Sequence, residues 1–297
     1  MKIRKKSILI IGGTGFLGSS LAKQCVKKNF LTFSVSKFKP NKNRKLPKVK
    51  YFFFDIKNFK MLNEKLKKYK FDYVVNCGGY VEHKNRQEIY NNHYVGCVNL
   101  FNFFKDKKIK SFIQIGSSSE YGDVKVPHKE NYKGKPKGIY GKVKLKATNF
   151  LIEKFNKNDF PVIIVRFYQL YGPNQDYNRF IPQLIKASLT KNLFLTSSGN
   201  QLRDFLYIDD AVNALFKLIL SKNLSGQIFN IGYGKAYKLK KIMNIIKKKN
   251  NFLKPIYDNS IFRKDEKIKV FPAIKKANKL ISWRPKISIA KGLEVTN

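Results

Sequence analysis

Residues 12–18 read Gly-Gly-Thr-Gly-Phe-Leu-Gly, directly after an unbroken apolar run at 7–11. The stretch that follows carries Leu17, Leu21 and Cys25 at i, i+4 and i+8, one apolar face of a helix. Glycines without a Cβ permit a tight strand-to-helix turn and let the backbone approach a pyrophosphate at the positive end of a helix. A bare glycine pattern is also an ordinary turn. Its position between a strand and an amphipathic helix predicts a dinucleotide site formed by Gly12, Thr14, Gly15, Phe16, Leu17 and Gly18.

The rest of the N-terminal half agrees with that reading. Apolar runs at 7–11, 31–36, 51–54, 73–76, 112–115 and 162–167 do not alternate, as expected of strands buried on both faces of a parallel sheet. Helical stretches at 15–28, 59–69, 91–105 and 138–157 separate them. The fold class is therefore α/β: a doubly wound parallel Rossmann sheet with a smaller C-terminal substrate-binding lobe. The expected dinucleotide domain covers 1–167 plus a returning segment at about 204–232, and 168–203 with 233–297 form the substrate lobe. A helix at 180–190, a helix at 209–221, a strand at 227–231 and a helix at 239–250 are expected in this half.

The second strand ends Val35-Ser36-Lys37, without the carboxylate that binds a ribose 2′-hydroxyl. An acid here would repel a 2′-phosphate, whereas Ser36 and Lys37 suit one, so NADP is preferred over NAD. Asp55 and Ile56, after the third strand, are expected near the adenine, with helix capping as the alternative role of Asp55.

Tyr140 and Lys144 lie four apart in an expected helix and so share a face. A neighbouring ammonium favours the phenolate, which then exchanges a proton with a sugar hydroxyl or carbonyl while hydride moves. The run 116–122, Gly-Ser-Ser-Ser-Glu-Tyr-Gly, follows a strand on the carboxyl edge of the sheet. Ser118 is expected to bind the reacting oxygen, and Glu120 to act as acid or base.

Together these motifs resemble the extended short-chain dehydrogenase/reductases, specifically the NAD(P)-dependent nucleotide-sugar epimerase/dehydratase family. Asn76-Cys77-Gly78-Gly79 is similar to the family's fourth-strand motif. The segments 166–173, 203–210, 227–232 and 282–285 are similar to later ones, so the resemblance runs over about 7–293. It implies that Tyr140 transfers the proton, Lys144 lowers its pKa and binds the nicotinamide ribose, and Ser118 orients the sugar oxygen. Asn76 and Gly78 would line the cofactor, and Gln169, Arg203 and Arg263 the substrate, with the two arginines on the diphosphate. The implied reaction is hydride transfer at C4 of a nucleoside-diphosphate hexose, in a homodimer. The short C-terminus and the NADP preference favour a 4-keto-6-deoxy-sugar reductase, with 4-epimerase or 4,6-dehydratase as alternatives.

Composition raises a rival from another class. The net charge is +42, which suggests a nucleic acid or another polyanion. However, 53 of the basic residues are Lys and only 8 are Arg, spread along the whole chain. Lys has AT-rich codons, and Arg is the residue preferred for bidentate phosphate and guanine contacts. Most of the charge is then a solvated background, and no nucleic-acid partner is expected. A non-catalytic Rossmann dinucleotide sensor would be marked by loss of the Tyr/Lys pair, and both residues are present. Cys25, Cys77 and Cys97 lack paired spacing and read as reduced thiols of a cytoplasmic protein. No apolar run approaches the length of a membrane span. His83, His93 and His128 lack metal-ligand spacing, so no metal is expected.

Overall fold

The computed structural model describes residues 4–80, 85–190, 193–249, 252–258, 260 and 267–296. The chain forms two compact units. The first comprises Met1–Gly122, Gly134–Arg166 and Val212–Phe229, and the second Asp123–Lys133, Phe167–Ala211 and Asn230–Asn297. This division differs from the sequence expectation at two places. Segment 123–133 joins the second unit, where the His128 N–H bonds the Phe271 carbonyl and the Asn230 side-chain amide bonds the His128 carbonyl. The return to the first unit begins at Val212 rather than at about 204.

The first unit opens with strand β1 (Ser7–Ile11), helix α1 (Phe16–Lys27), β2 (Leu31–Ser36), β3 (Val49–Phe53), α2 (Phe59–Leu66) and β4 (Tyr73–Asn76). It continues with α3 (Arg86–Tyr90), α4 (Gly96–Phe104), β5 (Ser111–Ser117), α5 (Ile139–Asn158) and β6 (Val162–Phe167). With strand Ile228–Ile231 these strands form a seven-stranded sheet in the order Ile228–Ile231, β6, β5, β4, β1, β2, β3. The β1–β2, β2–β3, β1–β4 and β4–β5 pairs are all parallel. Every residue of β1, β4 and β6 is buried, which explains why their sequences do not alternate. The order reverses between β1 and β4, and in sheets of this kind ligands bind at such a switch point, at the carboxyl ends of the strands.

Helix α1 docks through Gly18, Leu21, Ala22 and Cys25 and stops where Asn29 takes a left-handed backbone, φ 61°. The expected helix 91–105 is interrupted: α3 and α4 are joined by a wide π-type turn, Asn91–Val95. Apolar periodicity does not separate this turn from a regular helix.

The second unit is built on strand Leu202–Tyr207, which pairs with Gln169–Tyr171, Ala236–Lys238 and Lys269–Val270. Strands Leu193–Thr196 and Lys254–Tyr257 form a separate parallel pair. Two aspartates of the 203–210 motif anchor loops. Asp204 accepts the N–H groups of Tyr233 and Gly234, at 2.7 and 2.6 Å. Asp210 accepts those of Lys286 and Ile287, and its carbonyl accepts the Trp283 indole N–H. Trp283 is 1% exposed, a core residue.

Candidate active site

The glycine turn fits a dinucleotide in three respects. Gly12 has φ +74°, and a Cβ there would lie 2.9 Å from the backbone of Cys77 and Gly78. A Cβ on Gly18 would collide with the Gly12 carbonyl, so α1 packs onto the turn only because residue 18 is glycine. The first turn of α1 carries no acidic residue, and its N-cap, Gly15, makes no side-chain bond to the amides. Its N–H groups therefore offer a positive end to a pyrophosphate.

Asn76 is 2% exposed and its amide is engaged at both ends, Oδ1 with the Gly78 N–H and Nδ2 with Gln114 Oε1. These bonds fix the turn after β4. Ile56 is buried against Gly96, and its carbonyl accepts the Asn99 amide. Ser36 accepts the Thr14 N–H at 3.3 Å, joining the end of β2 to the glycine turn. Lys37 is half exposed, with Nζ 3.9 Å from Asp55. Asp55 also meets Lys57 at 3.4 Å and accepts the Lys57 N–H. It does not cap α2, because Asn58 does, accepting the Met61 N–H.

Tyr140 and Lys144 lie on the first turns of α5. Lys144 is 4% exposed, and its Nζ donates to the Ile115 carbonyl near the end of β5. The ammonium also acts electrostatically on Cys77, whose thiol burial pushes up to about 12 against it. Lys144 thus ties the start of α5 to the carboxyl end of β5. A Cβ on Gly141 would lie 2.5 Å from the Ser119 carbonyl, so this glycine lets the start of α5 close onto the turn 118–120. Ser118 opens that turn. Ser117, which the sequence reading passed over, ends β5, and its hydroxyl accepts the Ser119 N–H. One serine in a run of three is not distinguished by sequence pattern.

Glu120 is the main correction. It is 0% exposed, with Oε2 2.8 Å from Arg166 Nε and 2.9 Å from the Thr148 hydroxyl, while Oε1 accepts the Ser117 N–H. Arg166 is itself 3% exposed and stacks over the Tyr121 ring at 4.5 Å. A carboxylate enclosed by three donors holds the turn in place and is not presented to a substrate as acid or base.

In the second unit, Gln169 is exposed at the start of its strand. Arg203 is buried, with Nη1 donating to the Leu202 and Ile268 carbonyls. Arg263 and His83 lie outside the described residues. Among the described residues no group of His, Cys, Asp and Glu is arranged to hold a metal, and no helix is long and apolar enough to cross a membrane.

A doubly wound parallel sheet with a glycine turn at its β1–β4 switch point, and a Tyr and a Lys four apart on a helix packed against β5, defines the class of dinucleotide-binding Rossmann α/β proteins. The model for the NAD dependent epimerase/dehydratase family matches residues 8–232. A putative UDP-glucose 4-epimerase of Methanocaldococcus jannaschii is 27% identical over 303 residues, 97% of this chain and 96% of its own. The UDP-glucose 4-epimerase of Thermotoga maritima, solved with UDP-glucose, has a TM-score of 0.91 at 21% identity, covering 98% of this chain and 97% of that one. The UDP-glucuronic acid 4-epimerase of Bacillus cereus, solved with UDP-glucuronic acid and NAD, has a TM-score of 0.88 at 24% identity, with 98% and 97% covered. The chain belongs to the NAD dependent epimerase/dehydratase family.

Proposed function

We propose that this protein is an NAD(P)-dependent enzyme that oxidises C4 of a nucleoside-diphosphate hexose through Tyr140, and that its net reaction is 4-epimerisation. The observation that carries the reading is the placement of Tyr140 and Lys144 four apart on α5, with the Lys144 ammonium fixed on the Ile115 carbonyl of β5. The dinucleotide, held by Gly12–Gly18, supplies the hydride acceptor and donor. Tyr140 would take the proton of the C4 hydroxyl as hydride passes from C4 to a bound dinucleotide, giving a ketone, and would return the proton when the same hydride came back to the opposite face of the turned ketone, which inverts C4. Lys144, held on the Ile115 carbonyl, is assigned to the nicotinamide ribose. A serine hydroxyl of the turn 117–118 donates to the C4 oxygen. Gln169, Arg203 and Arg263 are assigned to the substrate, the arginines to its diphosphate.

Epimerisation needs no acid or base beyond Tyr140. Dehydration across C5 and C6 needs a further one, and Glu120 is closed off by its three donors. The length argument for a reductase falls away, because this chain covers 96% of a relative named as a putative 4-epimerase. A second reading, reduction of a 4-keto-6-deoxy sugar by NADPH, is favoured by Ser36 and Lys37 at the end of β2, where a hydroxyl and an ammonium suit a 2′-phosphate. The family resemblance also supports a homodimer and a cytoplasmic site of action.

The test is incubation with a panel of nucleoside-diphosphate hexoses and their 4-keto forms, with and without NADPH, followed by mass spectrometry and chromatography. Isomerisation at constant mass, lost in Tyr140→Phe while the dinucleotide still binds, is the expected result. Net NADPH consumption establishes the second reading. Loss of water, or turnover retained by Tyr140→Phe, overturns the assignment.

A further inference from the structure

His93 lies in the wide turn Asn91–Val95 and is 4% exposed. Its ring stands nearly perpendicular to the Tyr140 ring, centroids 5.2 Å apart and planes at 83°. Its Nε2 is held by the backbone of residue 80, 3.0 Å from the Tyr80 carbonyl and 3.3 Å from the Tyr80 N–H. The third feature is at the Cε1 edge of the ring. A Cβ added to Gly79 would lie 2.5 Å from His93 Cε1 and 3.2 Å from Nδ1. The imidazole therefore occupies space that exists only because residue 79 is glycine. The chain after β4, the turn before α4 and the first turn of α5 meet through this one ring.

We propose that His93 is a positioning residue for Tyr140: its ring is the wall that fixes the plane of the phenol, and Gly79 keeps the space in which that wall stands. The role rests on the reading of Tyr140 as the proton-transfer group. Tyr140 is the second residue of its helix, and its phenol oxygen is carried at the end of a side chain with two rotatable bonds. A perpendicular aromatic neighbour restricts the ring without a bond to the reacting oxygen. Because proton and hydride must move in register, a phenol that wobbles loses rate rather than substrate affinity. The π-type turn accounts for the placement, since its extra residue brings position 93 under α5 where a regular helix would carry the ring elsewhere.

The test uses the full chain with the nucleotide sugar selected by the panel above. His93→Ala is expected to lower kcat about tenfold to a hundredfold, with KM changed less than about twofold. His93→Phe keeps the ring and loses the Tyr80 bond, and is expected to recover most of kcat. His93→Gln keeps a polar group for residue 80 and loses the ring, and is expected to remain slow. Gly79→Ala is expected to slow the otherwise unaltered enzyme by displacing the ring, but to cost nothing further in His93→Ala. Recovery by Gln instead of Phe, additive effects of Gly79→Ala and His93→Ala, or wild-type kcat in His93→Ala overturns the proposal. If Tyr140→Phe is inactive while His93→Ala is fully active, the proton-transfer reading stands and this one fails. Turnover retained by Tyr140→Phe removes both.

Discussion

Replacing Glu120 by alanine leaves the Arg166 guanidinium buried with no carboxylate beside it. The Nε–Oε2 distance is 2.8 Å, and the two side chains are 3% and 0% exposed. Removing one partner of such a pair costs about 3–5 kcal/mol, because the remaining charge stays desolvated. The hydrogen bonds from Thr148 and Ser117 are lost as well, each contributing about 1 kcal/mol. For a chain of this size the expected fall in Tm is on the order of 10 °C, set against a total stability of about 5–15 kcal/mol. Glu120→Gln keeps the length and one acceptor but loses the charge, so its fall is smaller and in the same direction. The assay is thermal and urea unfolding followed by circular dichroism, with kcat measured well below each variant's Tm. With Tyr140 as the proposed proton carrier, kcat in Glu120→Gln is expected to stay within a few-fold of the parent. An unchanged Tm with kcat down a hundredfold or more would falsify this reasoning and make Glu120 the acid or base.

Two further outcomes test the cofactor and the anchoring of the second unit. If Ser36 and Lys37 receive a 2′-phosphate, Lys37→Ala weakens NADPH binding by roughly fivefold, the contribution of about 1 kcal/mol from an exposed ammonium, and leaves NADH unchanged. Ser36→Asp inverts the preference; equal loss for both dinucleotides in fluorescence titrations would refute the assignment. Burial pushes the Asp204 carboxyl up to about 7, opposed by the N–H groups of Tyr233, Gly234 and Lys235. The folded chain holds this proton to higher pH than the unfolded chain does. The stability it contributes is therefore complete below the ordinary carboxylate range and is lost as pH rises through about 7. The urea midpoint of the parent relative to Asp204→Asn is expected to fall between about pH 5 and pH 8; a rise would show a carboxylate stabilised by its three donors.

Much of the first unit was legible in the chain itself. Strands Ser7–Ile11, Leu31–Ser36, Tyr73–Asn76 and Val162–Phe167 lie where the unalternating runs place them, because burial on both faces leaves a local mark on composition. Gly12–Gly18 was legible for the same reason: the turn and the helix it opens are contiguous in sequence. The short strands of the second unit, such as Ala236–Lys238 and Lys269–Val270, were not read, since two or three residues carry no periodicity. The pairs that define the site are also far apart along the chain. Glu120 meets Arg166 across 46 positions, and His93 meets Tyr140 across 47.

The sequence by itself determined the fold class, the dinucleotide turn and the pair Tyr140/Lys144, because each is a pattern within a few residues. Only the tertiary structure decided what the polar residues around them do. A glutamate beside a serine run reads as an acid or a base until Arg166 and Thr148 are found enclosing it. A lone histidine reads as background until its ring is found against both Gly79 and Tyr140. Burial and partners separated by tens of residues set the charge, the hydrogen bonds and the freedom of a side chain, and none of these is written at the residue's own position.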